Sequence, residues 1–104
     1  MAVNYKTIRV ENLSTIASVY TVPNGQTACI VSFFICNKTI NAADVSVIIR
    51  SGGVDYYLNN GIPLAANETL QPSDGKKIFL TQAELVYIES TENVDVIMSI
   101  LENI

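Results

Sequence analysis

The chain contains no histidine among its 104 residues. Histidine is the side chain most used as a general base near neutral pH and the commonest transition-metal ligand, so its absence removes Ser-His-Asp and Cys-His nucleophile chemistry. Positive charge is scarce as well. Six Lys and Arg stand against ten Asp and Glu, a formal charge of −4, and the only adjacent basic pair is Lys76-Lys77. Neutralising several phosphates needs a basic face, so nucleic acid is not an expected partner. Long apolar runs are missing too: Phe33 to Cys36 and Val47 to Ile49 fall far short of the roughly 18 residues that span a bilayer, and no membrane partner is expected. Residues Met1 to Lys6 carry neither a basic nor an apolar leader segment, so synthesis in the cytoplasm is expected.

Cysteine is limited to Cys29 and Cys36, seven positions apart in what reads as one strand. Seven strand steps cover about 23 Å, whereas a disulfide tolerates at most about 7 Å between Cα atoms. The two are expected as buried, unpaired thiols that pack as small hydrophobes. Motifs that cradle phosphate are absent, because Gly52-Gly53 lacks a following Gly-Lys-Ser/Thr and Gly75-Lys76-Lys77 reads as a turn. No Asp-x-Asp-x-Asp calcium loop occurs, and no cofactor is expected. Paired carboxylates drawn from Asp55, Asp74, Glu84, Glu89, Glu92 and Asp95 are the one conceivable catalytic set, of the kind glycosidases use. Those residues flank turns or alternate outward along strands, where charge is expected anyway. The reading is therefore of a protein that is not an enzyme. Asn-x-Ser/Thr sequons at Asn12, Asn37 and Asn67 would matter only in a secretory pathway.

What the chain does have is a hydrophobic fraction of 49% with only 15% charged residues, enough for one core in one domain over residues 1–104. Apolar residues recur with period two, and Gly, Pro, Asn, Asp and Ser clusters interrupt them about every ten residues, which is strand grammar. Strands are predicted over Lys6 to Val10, Thr15 to Val22, Thr27 to Asn37, Val45 to Ile49, Val54 to Leu58, Glu68 to Gln71, Lys76 to Leu80, Glu84 to Ser90 and Asn93 to Leu101. Pro23-Asn24-Gly25 predicts a hairpin or corner, and Ser51-Gly52-Gly53 gives the clearest hairpin signal. Asn59-Asn60-Gly61 is read as the end of a strand, and Pro63 and Pro72 as edge or loop positions. Thr81 to Glu84 could form one helical turn.

The strand over Thr27 to Asn37 is apolar on both faces, with Cys29, Val31, Phe33 and Ile35 on one and Ala28, Ile30, Phe34 and Cys36 on the other. Such a strand wants cover on two sides and a central position. In the last strand Val94, Val96, Met98 and Ile100 face one way. About eight short strands with this spacing make an all-β fold, either an antiparallel sandwich or a compact jelly-roll-like barrel.

The stretch Tyr20-Thr-Val-Pro-Asn-Gly-Gln-Thr-Ala28, the long apolar strand running on to Asn37, and the Tyr56-Tyr57-Leu58 strand form a recognisable series. It continues with Ile62-Pro63-Leu64-Ala65-Ala66-Asn67-Glu68-Thr69-Leu70, the Gly75-Lys76-Lys77-Ile78 turn and the ending Val94 to Ser99. From about Tyr20 to Leu101 the chain resembles small virion structural proteins of tailed bacteriophages, especially those of cyanobacterial and marine phages. The resemblance implies a capsid decoration (cement) protein, or a tail, fibre or baseplate component. Its partners would then be phage capsid or tail proteins and its location the virion, and it brings no catalytic residues. Self-association, for instance as a trimer, would multiply weak contacts. The expected interface is the segment Val54 to Pro63 with the N-terminal arm up to Tyr5, represented by Tyr5, Tyr56, Tyr57, Ile62 and Pro63. An alternative is a carbohydrate- or receptor-binding module that uses Tyr56, Tyr57 or Tyr87 as a stacking platform.

Overall fold

The computed structural model describes residues 3–103, and in them the chain forms nine strands and no helix. These are β1 (Asn4–Leu13), β2 (Ala17–Thr21), β3 (Ala28–Asn37), β4 (Ala43–Ser51), β5 (Val54–Leu64), β6 (Thr69–Leu70), β7 (Ile78–Leu80), β8 (Leu85–Ser90) and β9 (Val94–Glu102). They build two antiparallel sheets. One has the order β1-β9-β3-β6, with β7 also on β3, and the other has the order β2-β8-β4-β5. The chain changes sheet between β1 and β2, β2 and β3, β3 and β4, β5 and β6, and again on either side of β8. That winding is the double-sheet form of a jelly roll, so of the two expected architectures the chain adopts the sandwich.

Both tight turns of the first half form as their residues demand. Ser51 pairs directly with Val54, and Gly52 and Gly53 both take positive φ, the primed turn that matches strand twist. Pro23 accepts the Gln26 N–H at 3.2 Å, and this turn is a corner that carries the chain from β2 across to β3 in the other sheet. Two expectations fail. Asn59-Asn60-Gly61 does not end a strand: β5 runs on to Leu64 through a bulge, because Gly61 takes a φ of 60° and its N–H finds the Ser46 hydroxyl at 2.8 Å. Thr81 to Glu84 forms no helical turn. Ala83 sits at a φ of 63°, its N–H donates to Val22 O at 3.1 Å, and the segment is a tight turn docked on the end of β2.

The core lies between the sheets and contains Phe33, Ile35, Val45, Val47, Val86, Ile88, Val96 and Met98, among others. On β9 the expected face holds, with Val94, Val96, Met98 and Ile100 all buried. On β3 it does not. The register against β9 slips between Ile30 and Ser32, and this bulge reverses the alternation. Ala28 and Ile30 point inward before it, and Phe33, Ile35 and Asn37 point inward after it, while Cys29, Phe34 and Cys36 lie on the outer face. Both cysteines are free, at opposite ends of one strand.

Two buried polar groups tie the layers together. The fully buried Asn37 amide donates to the backbone oxygens of Asn41 and Leu64 at 2.7 and 3.1 Å and accepts from the Thr39 N–H and hydroxyl at 3.0 and 2.7 Å. At the other end, Tyr20 from the four-stranded sheet donates its hydroxyl to the buried carboxylate of Glu102 in the five-stranded sheet. Lys6 approaches Glu102 at 3.9 Å and lies 5.7 Å from the centre of the Tyr20 ring. Burial and this carboxylate raise the Tyr20 phenol above its ordinary value, so it stays a donor.

Asn37→Ala takes the amide partner from the buried Leu64 carbonyl, a loss of about 1–3 kcal/mol, and removes the bonds that order the Thr39 to Asn41 loop, so it should lower unfolding stability by about 3 kcal/mol in urea titrations. Tyr20→Phe removes a hydrogen bond to a charged group and should cost about 2 kcal/mol. A loss below 0.5 kcal/mol for either would show that these groups do not hold the sheets together.

Candidate functional site

Among the described residues no group of three or more His, Cys, Asp or Glu converges as metal ligands. Four of the six carboxylates considered for glycosidase-like chemistry accept local hydrogen bonds, and the other two, Asp74 and Glu89, are exposed. Asp55 accepts two hydrogen bonds from Arg50, at 2.6 and 3.2 Å. Asp95 pairs with Lys38 at 2.9 Å and accepts the Asn12 N–H at 3.1 Å, and Glu84 accepts the Thr81 N–H at 2.6 Å. Glu92 takes the Asn41 amide at 3.2 Å, and Asp74 sits in a turn at a φ of 54°. The Arg50 hydrogen bonds hold Asp55 below the ordinary carboxylate range, the Thr81 N–H does so for Glu84, and Lys38 does so for Asp95. A general acid needs the opposite shift.

The four-stranded sheet carries a small cluster on its outer face. The register sets Ser18, Tyr87, Ile48 and Tyr57 in one row across β2, β8, β4 and β5. Arg50 sits in the next row, its guanidinium 4.3 Å from the centre of the Tyr87 ring and clamped by Asp55. Together they cover Ile48, which is only 2% exposed although it points away from the core. The stacking platform expected from Tyr56, Tyr57 and Tyr87 is not assembled. Arg50 occupies one face of Tyr87, and Tyr56 belongs to the row of Ile49, on the opposite face of the sheet from Tyr57. Of the two tyrosines in the cluster, Tyr57 is exposed and Tyr87 half-buried.

The residues expected to form one interface are likewise divided. Tyr56, Tyr57, Ile62 and Pro63 lie along β5, a strand paired only with β4, so its outer edge is open. Ile62 is half-buried toward the core beside Val45, and Pro63 is exposed. Tyr5 lies on β1, the far edge of the other sheet, where β1 stands alongside β2 rather than β5. No single patch joins them.

Sequence reasoning missed the larger apolar surface. On the outer face of the five-stranded sheet, register places Tyr5, Leu101, Cys29 and Phe79 in one row across β1, β9, β3 and β7. Thr7, Ser99 and Ser32 form the next row, followed by Arg9, Ile97 and Phe34. Phe34, Ile97, Phe79 and Tyr5 are 38%, 47%, 72% and 84% exposed. A shallow depression of about 290 Å³ lies on this face, lined by Arg9, Glu11, Asp95 and Ile97 among others. The signal was present in the two-sided apolarity of Thr27 to Asn37, but the bulge at Val31 hid which residues make up the uncovered side.

The fold and these surfaces define an all-β jelly-roll sandwich of two antiparallel sheets. No protein-family model matches the chain, and no curated protein matches it. Among solved structures it is similar to a protein of Bacillus endospore appendages, described as forming a novel family of disulfide-linked pili. That likeness has 13% identity, covers 98% of this chain and 86% of the other, and has a TM-score of 0.59. The nucleoplasmin-like N-terminal domain of Drosophila FKBP39 matches at 8% identity, 98% and 91% coverage and a TM-score of 0.47. At these identities the first likeness establishes shared fold, and the second is too loose to carry weight.

The downward shifts of Asp95 and Glu84 set the acid limit of stability. Groups with depressed folded values contribute fully above their unfolded values near 4, and that contribution is lost as pH falls through the folded ones. The urea midpoint should therefore be flat from about pH 7 to 5 and fall below about pH 4. Lys38→Ala returns Asp95 toward its ordinary range and should make that fall shallower. An unchanged acid slope in Lys38→Ala would contradict the assignment.

Proposed function

We propose that this protein is a non-enzymatic building subunit: a virion structural protein of a tailed phage, acting as a capsid decoration protein that binds the assembled shell and holds neighbouring subunits together. A tail, fibre or baseplate position is the variant of the same reading. The observation that supports it is the apolar surface on the five-stranded sheet, which carries Phe34, Ile97, Phe79 and Tyr5 and is left exposed among the described residues. Exposed apolar patches of this kind mark association surfaces.

Three further features agree with it. Asp55 and Asp95 are held in ion pairs and Glu84 in a turn. Jelly rolls recur in capsid and lectin domains, a support at the level of fold analogy only. The Bacillus appendage protein, similar in fold, is a pilus subunit. Physically, a module that binds only the assembled lattice stabilises it by mass action, and self-association adds avidity.

Particles purified by density gradient from a lysate of the producing phage should contain this chain by mass spectrometry, in a stoichiometry that matches a repeating lattice site. The recombinant protein should co-sediment with particles that lack it. Absence from purified particles, together with failure to co-sediment, would overturn the reading.

A further inference from the structure

The outer face of the five-stranded sheet has a pattern that selects its partner. Its rows run across the strands: Tyr5-Leu101-Cys29-Phe79, then Thr7-Ser99-Ser32, then Arg9-Ile97-Phe34, then Asp95-Cys36-Thr69. Consider a two-fold axis parallel to the strands, between β9 and β3. It lays each row on its own reverse, β9 over the partner's β3 and β1 over the partner's β6 and β7. Tyr5 then meets the partner's Phe79, Leu101 meets the partner's Cys29, and Ile97 meets the partner's Phe34. Ser99 meets the partner's Ser32, small on small, which gives the flanking larger rows room to close.

Charge follows the same rule. Arg9, Glu11 and Asp95 all stand on the β1 and β9 side of the axis. Reversal sets Arg9 against the uncharged end of β6, and Asp95 against the partner's Cys36, so no like charges are opposed. Asp95 is already neutralised by Lys38, and Arg9 balances Glu11, so the formal charge of −4 does not fall on this face.

We propose that this face is the interface of a homodimer, in which two copies pack their five-stranded sheets face to face about that axis. The proposal rests on the building role above and deepens it, since it assigns to a second copy the apolar face that supports that role; a chain that stays monomeric in solution yet is found on particles would sink the dimer and leave that role standing. Size agrees with a reversible pair. The four most exposed side chains offer on the order of 500 Å² per copy, since a fully exposed aromatic presents about 150–250 Å². About 1,000 Å² in total falls below the standard size of stable complexes, in the range of weak, reversible pairs. Face-to-face packing about 10 Å apart is also the ordinary way in which two sheets meet.

Sedimentation velocity of the full chain from about 5 to 200 µM reads the claim, because that range brackets a micromolar Kd. The sedimenting mass should rise to twice that of the chain. Ile97→Glu, and Phe79→Lys as a second variant at a more exposed site, should each stay monomeric with unchanged circular dichroism. Tyr57→Lys, on the other sheet, should dimerise normally. Register is read separately by Tyr5→Cys combined with Phe79→Cys. Within one copy these positions are three strand spacings apart, about 14 Å, too far for a disulfide. With the native Cys29 and Cys36 replaced by Ala and Ser in every variant, oxidation should therefore give a covalent dimer with the double variant and none with either single variant. A chain that stays monomeric at 200 µM, a trimeric mass, a dimer lost in Tyr57→Lys but not in Ile97→Glu, or a double variant that does not cross-link would each overturn the proposal.

Discussion

Strand β3 carries apolar side chains on both faces, and a two-layer sandwich can cover only one of them. Phe33 and Ile35 enter the core against Met98 and Val96 of β9, where each fully buried side chain contributes about 1.5–3 kcal/mol of transfer free energy. Phe34 and Ile97 are carried by the same pairing onto the opposite face. The bulge between Ile30 and Ser32 sets the division. Without it, one half of the strand would bury Cys29 and Val31 in place of Ala28 and Ile30. The core and the uncovered surface are thus two results of one register.

Buried polar groups then fix the layers on each other. Asn37 closes the end of β3 onto the loop at Asn41 and the end of β5, and the Tyr20 and Glu102 pair closes the other end. Neither group could be left unmet in the interior, so their geometry favours one arrangement of the sheets over sliding alternatives. The surfaces divide accordingly. On the four-stranded sheet, Ile48 is shielded by its own neighbours, with Arg50 held over Tyr87 by Asp55. On the five-stranded sheet, Cys29 is equally buried on the outer face, yet the aromatic residues that flank it stand free.

The all-β class, the Gly52-Gly53 hairpin, the corner after Pro23, the central place of β3 and the inward face of β9 were legible in the sequence, because each rests on period-two patterning or on turn residues with one main use. The bulges were not. Gly61 reads as a strand end, but the Ser46 hydroxyl that lets β5 continue lies fifteen positions away. Ala83 adopts a left-handed φ because Val22 accepts its N–H, and no local residue signals that. The candidate surface was half legible. Two-sided apolarity announced that something must cover Thr27 to Asn37, but strand order was needed to bring Tyr5 and Phe79 into one row. Tyr5 and Tyr57 looked like one patch only because both are apolar groups at surface positions. The topology sends them to different sheets.

The central claim is that the outer face of the five-stranded sheet is covered when the protein is at work. Hydroxyl-radical footprinting read by mass spectrometry measures side-chain exposure at each residue, and it compares dilute protein with the protein in its assembled form. Phe34, Phe79 and Ile97 are expected to lose most of their reactivity on assembly, while Tyr57 serves as an internal reference for the other sheet. Unchanged labelling of Phe34, Phe79 and Ile97 in the assembled protein would contradict the claim.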